Sequence, residues 1–213
     1  MSFPTGRNDC RIDLRKSQLS EYPEIFLWGL EEKLLDLIEN YIGLPVIYQG
    51  LTMSKEIANG RKVHIRQWHL DWEDRRMLKI IIYLNDVDTD GGPYEYIPPN
   101  LTARGIESLR YYNLGFISDE EMNQAIPRSN WQTCLGQAST VVITDTSNVF
   151  HRVKPAIKND RFTITLCYTS RRPNVNWKSK PLSLEHWQAI DSRINQRQRS
   201  CLNIPSIRSF QGK

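Results

Sequence analysis

The sequence predicts a single, mainly β domain, in the form of an antiparallel sandwich or barrel with flanking helices. The chain has 213 residues, a length that suits one domain with one sizeable core. Hydrophobic residues make up 39% and charged residues 24%, which is the composition of an ordinary soluble globular protein. The predicted elements run helix, strands, irregular insert, strands, helix. Because this order lacks alternating βαβ units, a doubly wound parallel sheet is not expected.

Two helices are predicted, one on each side of the β core. An irregular N-terminal arm over residues 1–20 precedes the first, which covers residues 21–42 and ends where Gly43 and Pro45 stop it. The second covers residues 183–199. In both, apolar residues recur at intervals of three and four positions: Ile25, Leu27, Leu30, Leu34, Leu35, Leu37 and Ile38 in the first, and Leu184, Trp187, Ile190 and Ile194 in the second.

The β core is predicted over residues 43–172. Its strands are short apolar or alternating runs bounded by turn residues: Val46–Tyr48, Val63–Leu70, Met77–Asn85, Tyr94–Ile97, Thr140–Thr144 and Arg161–Ser170. An insert over residues 100–135 interrupts them, with a capping box at Ser118 and Glu121. Inserts of this length are often functional, so we expect this one to form a lid over the functional site that the motifs below indicate. Arg104 and Arg110 are its first candidates to contact substrate.

Charge, hydropathy and cysteine spacing argue against several classes of protein. Lys and Arg number 28 against 24 Asp and Glu, a net charge of +4 that is too weak to indicate nucleic-acid binding. No apolar run reaches the roughly 18–20 residues of a membrane span, and the N-terminal residues lack the apolar core of a signal peptide. The 4 cysteines form no C-x-x-C pair, which argues against a disulfide framework. We therefore expect a cytoplasmic protein.

Two separated motifs indicate a metal site. In Gln67-Trp68-His69-Leu70-Asp71, residues two apart share one face of a strand, so His69 and Asp71 offer an imidazole and a carboxylate side by side. His151 follows the strand Thr140–Thr144 and would supply a second imidazole. Two histidines and one carboxylate on one side of an ion are typical of non-haem Fe(II) oxygenases. A catalytic zinc site uses similar ligands but also needs a base that acts on water.

A third motif distinguishes these alternatives. Arg161 and Thr163 lie on one face of the strand Arg161–Ser170, where a guanidinium and a hydroxyl can grip a carboxylate. A buried arginine needs an anionic partner. A dicarboxylate co-substrate would provide one, with one end on the iron and the other on Arg161. This favours the iron site.

These motifs resemble those of Fe(II)/2-oxoglutarate-dependent dioxygenases, in particular the phytanoyl-CoA dioxygenase-like branch. The strand that ends in Leu84-Asn85, the turn Asp90-Gly91-Gly92-Pro93 and the strand that ends in Pro98 add to the likeness, which covers about residues 43–172. The sequence departs from that branch at Pro98-Pro99-Asn100, where Pro-Gly-Ser-His is common.

The resemblance implies a double-stranded β-helix core, also called a jelly roll or cupin-like fold, with Fe(II) between its two sheets. It implies 2-oxoglutarate as co-substrate and ascorbate as a supporting reductant. By position, Tyr83 resembles the aromatic residue that lies near 2-oxoglutarate. Gln67 is the candidate for the other end of the co-substrate.

The implied activity is hydroxylation of an unactivated C–H bond in a small-molecule metabolite, with release of succinate and CO2. A peptide or protein hydroxylase and a non-catalytic binding module on the same scaffold are the alternatives. No nucleic-acid or membrane partner is expected. Several arginines either surround the pocket mouth, which would favour an anionic substrate, or form a solvated basic surface: Arg75, Arg76, Arg104, Arg110, Arg152, Arg171 and Arg172.

Overall fold

Two antiparallel sheets form the core of the molecule, as seen in a computed structural model that describes residues 10–14, 21–112, 115–175 and 184–202. The larger sheet has the strand order β1-β2-β8-β3-β6 and the smaller one β5-β4-β7. The strands are β1 Arg11–Asp13, β2 Val46–Glu56, β3 Leu78–Tyr83, β4 Tyr94–Tyr96, β5 Gln132–Cys134, β6 Val141–Asp145, β7 His151–Val153 and β8 Arg161–Ser170.

The helices lie outside the two sheets. They are α1 Pro23–Trp28, α2 Glu32–Ile42, α3 Pro99–Leu109, α4 Asp119–Ala125, α5 Leu184–Asp191 and α6 Gln196–Ser200. Phe26 of α1, together with Leu35 and Ile38 of α2, packs in one apolar cluster with Ile80 and Leu166 of the larger sheet. This packing covers the outer face of that sheet and leaves its other face for the interior between the sheets.

The predicted helix over residues 21–42 is wrong as a single helix, because the backbone leaves the helical conformation at Glu31, with ψ of 133°, and a second helix starts at Glu32. Before this break, a Cβ at Gly29 would lie 2.4 Å from the ring carbon Cζ of Tyr48, so the Tyr48 side chain leaves no room for a larger residue there. The predicted end is confirmed: Gly43 caps α2 in the left-handed conformation, with φ of 77°, which glycine adopts without strain.

Three other predicted boundaries need correction. Residues 11–13 of the supposedly irregular arm form β1, since their backbone pairs with β2. The predicted strand Val63–Leu70 is instead a 3-10 turn, His64–Arg66, followed by isolated bridges at Trp68 and His69. The C-terminal helix is two helices, because a capping box at Asn195 and Gln198 starts α6.

The insert over residues 100–135 contains more regular structure than predicted. Helix α3 and strand β5 lie within it or at its start, while α4 begins at the predicted capping box. There the Ser118 hydroxyl accepts from the Glu121 amide at 3.2 Å. Ile117, Met122 and Ile126 of the insert pack with Trp68 and Phe150, which are the neighbours in sequence of His69 and His151.

Strand β8 is predicted with the bounds that the structure has. Its side chains alternate between the helix-covered face, with Ile164 and Leu166, and the inner face, with Thr163 and Thr165. No helix in the described parts of the chain has the length and hydropathy that a bilayer crossing requires.

Candidate metal and co-substrate site

His69 and His151 lie directly opposite each other between the two sheets. The amide of His69 donates to the carbonyl of His151 at 3.1 Å, and the amide of His151 donates back at 3.0 Å. This isolated antiparallel bridge sets the two imidazole ring centres 4.3 Å apart. The backbone therefore brings together two histidines that are 82 positions apart in the sequence.

Both imidazoles are oriented by a hydrogen bond to the backbone carbonyl two residues earlier in the chain. Nδ1 of His69 lies 2.9 Å from the carbonyl oxygen of Gln67, and Nδ1 of His151 lies 3.0 Å from that of Val149. Because a carbonyl oxygen only accepts, each Nδ1 must carry the proton. Each Nε2 consequently has a free lone pair, which is the form of histidine that binds metals.

Asp71 completes a three-residue ligand set. Its carboxylate oxygens lie 3.9 Å from Nε2 of His69 and 3.8 Å from Nε2 of His151. One ligand atom from each residue lies within 4.8 Å of the other two, and the Asp71 amide is held by the carbonyl of Thr146 at 3.0 Å. The structure thus brings together the three residues that the sequence predicts as ligands.

Lys79 supports this set and was missed as a site residue. Its Nζ donates to Oδ2 of Asp71 at 2.6 Å, and its side chain lines the same cavity as the three ligands. The available signal was a lysine in the otherwise apolar run of β3. The contact depends on where the fold places Asp71, which the sequence of β3 does not reveal.

The charges of the site suit a divalent cation. Burial is the largest single effect and opposes ionisation of Asp71, but its charged and hydrogen-bonding neighbours, Lys79 first among them, together lower the pKa of that carboxyl below its usual range. Burial, and then the nearby His69, lowers the pKa of His151 to about 3. Burial also lowers the pKa of His69. At neutral pH the ligands are one carboxylate and two neutral imidazoles, the protonation states in which they coordinate metal.

A cavity of about 270 Å³ joins this ligand set to Arg161 and Thr163. Arg161 is only 3% exposed, and its Nε and Nη1 have no hydrogen-bond partner among the described residues. The hydroxyls of Thr163 and Ser54 are 3.0 Å apart. Unpaired buried guanidinium nitrogens are costly, so the cavity fits an anion such as the distal carboxylate of 2-oxoglutarate.

Two other predicted site residues lie beside the cavity, and the ring centre of Tyr83 is 5.8 Å from the guanidinium carbon of Arg161. The hydroxyl of Tyr83 donates to the carbonyl of Cys134 at 2.9 Å and accepts from the amide of Tyr94 at 3.0 Å, so it links the two sheets. Gln67 orients His69 through its backbone carbonyl. Neither Tyr83 nor Gln67 is among the residues that line the cavity, and their predicted contacts with co-substrate stay predictions.

Arg152 does not surround the pocket mouth, contrary to one of the two interpretations of the arginines. It is buried between Glu95, 2.6 Å away, and Asp119, with its guanidinium over the ring of Trp68 at 4.6 Å. Two carboxylates and an aromatic face satisfy it where water is excluded. Arg104 and Arg110 are exposed and lie outside the cavity lining.

No family model and no curated protein matches the sequence, but solved structures with a similar fold exist. HygX from Streptomyces hygroscopicus, solved with nickel, 2-oxoglutarate and hygromycin B bound, superposes with a TM-score of 0.51 at 11% identity, over 79% of this chain and 74% of that one. EctD from S. alaskensis with bound Fe superposes with a TM-score of 0.53 at 17% identity, over 79% of this chain and 60% of EctD.

The chain has the fold of these proteins, a double-stranded β-helix or jelly roll. The predicted fold class is therefore confirmed. A further EctD structure, with 2-oxoglutarate and 5-hydroxyectoine, superposes with a TM-score of 0.52 at 19% identity, over 75% of this chain and 56% of EctD. At these identities the likeness concerns the fold, and function depends on the residues of the site.

Proposed function

We propose that this protein is an Fe(II)- and 2-oxoglutarate-dependent oxygenase. The observation that carries the proposal is a single cavity with two complementary ends. One end has Nε2 of His69, Nε2 of His151 and the Asp71 carboxylate within 4.8 Å of one another. The other has the buried Arg161, with two guanidinium nitrogens that lack hydrogen-bond partners in the described structure. A metal ion fits the first end, and a dicarboxylate that bridges the two fits both.

The chain's own residues hold and orient the reactants. His69, His151 and Asp71 bind the ion from one side, which leaves its opposite positions for other ligands. Lys79 keeps Asp71 ionised and fixes its orientation, while Arg161 and Thr163 anchor the distal carboxylate of 2-oxoglutarate. When bound, Fe(II) with 2-oxoglutarate and dioxygen supplies oxidation of an unactivated C–H bond, with release of succinate and CO2. The proposed outcome is hydroxylation.

A small molecule is the substrate class that the cavity supports. The cavity volume of about 270 Å³ lies just below the range of about 300–1,000 Å³ that is typical of small-molecule sites. The structures of HygX and EctD contain small molecules, hygromycin B and 5-hydroxyectoine respectively. The predicted anionic character of the substrate stays a prediction, since neither Arg152, Arg104 nor Arg110 lines the cavity.

The test combines binding and turnover. Anaerobic titration of the apoprotein with Fe(II) and then 2-oxoglutarate should give saturable binding of both. In air, the ternary complex should slowly form succinate even without a prime substrate, and a panel of small metabolites should be scored for faster succinate formation. His151→Ala should lose iron binding, whereas an exposed control, His64→Ala, should keep it. A wild-type protein that binds iron but never consumes 2-oxoglutarate would contradict the proposal.

A further inference from the structure

A row of charged side chains crosses three strands at the Arg161 end of the cavity. In the backbone register, Arg11 of β1 is opposite Glu56 of β2, and Glu56 is opposite Arg161 of β8. Directly opposed residues on neighbouring strands project to the same face of a sheet. The N-terminal strand thus brings a second arginine to the face that carries Arg161.

Glu56 offsets only part of the positive charge of this row, because Arg66 also binds its carboxylate. It is fully buried, and its Oε2 accepts from Nη2 of Arg66 at 3.2 Å and from Nε at 3.3 Å. Its Oε1 lies 3.6 Å from Nη1 of Arg11. Between Glu56 and Arg161, both within the described ranges, there is no ion pair within 4 Å. The buried carboxylate of Glu56 is thus in ion-pair distance of Arg66 and Arg11, and Arg161 is left without an ion pair among the described residues.

The other partners of these arginines leave the positive charge in excess at the cavity. Arg66 donates to the carbonyls of Cys10 and Ile57 at 2.7 and 2.8 Å, so it is fully engaged away from the cavity. Arg11 pairs with Asp13 at 2.7 Å, but that carboxylate is 53% exposed and is largely screened by water. Arg11 itself lines the cavity together with Arg161.

We propose that Arg11 is a second residue for binding the distal carboxylate of 2-oxoglutarate, delivered by strand β1. The inference rests on the proposed function and extends it to a segment outside the sequence motifs. The carboxylate would supply the negative charge that the Arg11–Glu56–Arg161 row lacks. Binding of the co-substrate would also hold β1 against the sheet, since Arg11 would gain a partner in the cavity.

The first test compares two ligands in calorimetric titrations of Mn(II)-loaded protein. One ligand is 2-oxoglutarate, and the other is 2-oxopentanoate, which lacks the distal carboxylate. Arg11→Gln should weaken 2-oxoglutarate binding about five- to tenfold, as expected for a partly exposed charge-assisted contact, and leave 2-oxopentanoate and Mn(II) binding unchanged. Lys55→Gln is the matched control, because Lys55 has the same side-chain exposure as Arg11, 28%. Lys55 lies opposite Ile12, the residue after Arg11, so its side chain projects to the other face of the sheet.

The second test needs no variant and so does not depend on how Arg11→Gln folds. Amide hydrogen exchange of residues 11–13 in the wild-type protein should slow when 2-oxoglutarate is added to the Mn(II) form, and should not slow with 2-oxopentanoate. Unchanged exchange, unchanged affinity of Arg11→Gln, or an equal loss of affinity for both acids would overturn the inference. If Arg161→Ala also kept full affinity for 2-oxoglutarate, the proposed function would fail. If Arg11→Gln kept full affinity for 2-oxoglutarate and Arg161→Ala lost it, the proposed function would stand and this inference alone would fail.

Discussion

Backbone contacts orient individual residues of the site before any ligand binds. The carbonyl two positions before each histidine holds Nδ1, and the bridge between His69 and His151 sets the ring spacing. An ion that binds here therefore meets imidazoles with little orientational freedom left to lose. Such preorganisation raises affinity because fewer side chains must be ordered on binding.

The three proposed metal ligands are the subject of the first prediction. His69→Ala or His151→Ala should abolish Fe(II) binding and turnover, since the two remaining ligands hold a labile ion poorly, and Asp71→Ala should stop hydroxylation. Metal titration followed by calorimetry measures the first effect. Native affinity in His151→Ala would remove that residue from the ligand set.

Arg161 carries the second prediction. Arg161→Ala should weaken 2-oxoglutarate binding by at least tenfold, because a charge-assisted hydrogen bond to a buried carboxylate is worth about 1.5–3 kcal/mol. Iron affinity should survive, since Arg161 is not a ligand. Titration of the metal-loaded variant with 2-oxoglutarate provides the measurement, and an unchanged dissociation constant would assign the arginine to another partner.

Lys79 carries the third prediction, which concerns stability. Lys79→Met leaves the Asp71 carboxylate without its cation, so the free energy of unfolding of the apoprotein should fall by about 1–3 kcal/mol. Mn(II) should restore most of the loss, because the ion provides the missing positive charge. Urea unfolding with and without metal measures both effects.

The control for this prediction is Lys55→Met, which breaks the more exposed pair of Lys55 with Asp160. It should cost less than about 1 kcal/mol and should not respond to metal. If the two variants lost equal stability and neither recovered with Mn(II), the pair of Lys79 and Asp71 would be an ordinary ion pair.

At the scale of elements, the insert over residues 100–135 is attached next to the proposed metal site. Its backbone exchanges hydrogen bonds between Ile117 and Trp68 at 2.8 and 3.1 Å, and Asp119 at the start of α4 pairs with the buried Arg152. Phe116, half exposed, places its ring 5.4 Å from that of His69. The position is compatible with the predicted lid, and a role in substrate choice is still a prediction.

Phe116 allows that role to be tested. Phe116→Ala should leave affinity for metal and 2-oxoglutarate within about twofold of wild type, because Phe116 is neither a ligand nor a hydrogen-bonding group. It should change which small molecules accelerate succinate formation, since loops on a rigid scaffold contact substrate. Tyr112→Ala, in the same insert but 74% exposed, is the control. Identical substrate profiles for both variants and wild type would argue against the lid.

At the scale of the whole molecule, the site joins the two sheets. His151 belongs to β7 of the smaller sheet, whereas Lys79 and Arg161 belong to the larger one. Ligands that bind only the folded protein stabilise it by mass action. Ligand binding at this site should therefore raise the stability of the whole fold and not that of one element alone.

The corresponding prediction is a thermal shift. Mn(II) and 2-oxoglutarate, each at about 100 times its dissociation constant, should each add roughly 2.7 kcal/mol. For a chain of this size each increment corresponds to roughly 5–10 °C in Tm. Scanning calorimetry of the wild type measures the shift. The His151→Ala variant should show no shift with Mn(II), and a shift of wild-type size in that variant would indicate that the metal binds elsewhere.

The sequence alone determined the features that depend on neighbours in the chain. The alternation along β8, the helix end at Gly43 and the helix start at Ser118 are local, because rotation per residue and capping act over two to four positions. Only the tertiary structure decided the contact of Lys79 with Asp71, the opposition of His69 and His151, and the row from Arg11 through Glu56 to Arg161. These contacts depend on strand register between distant segments, which is set by the packing of the whole core and not by local spacing.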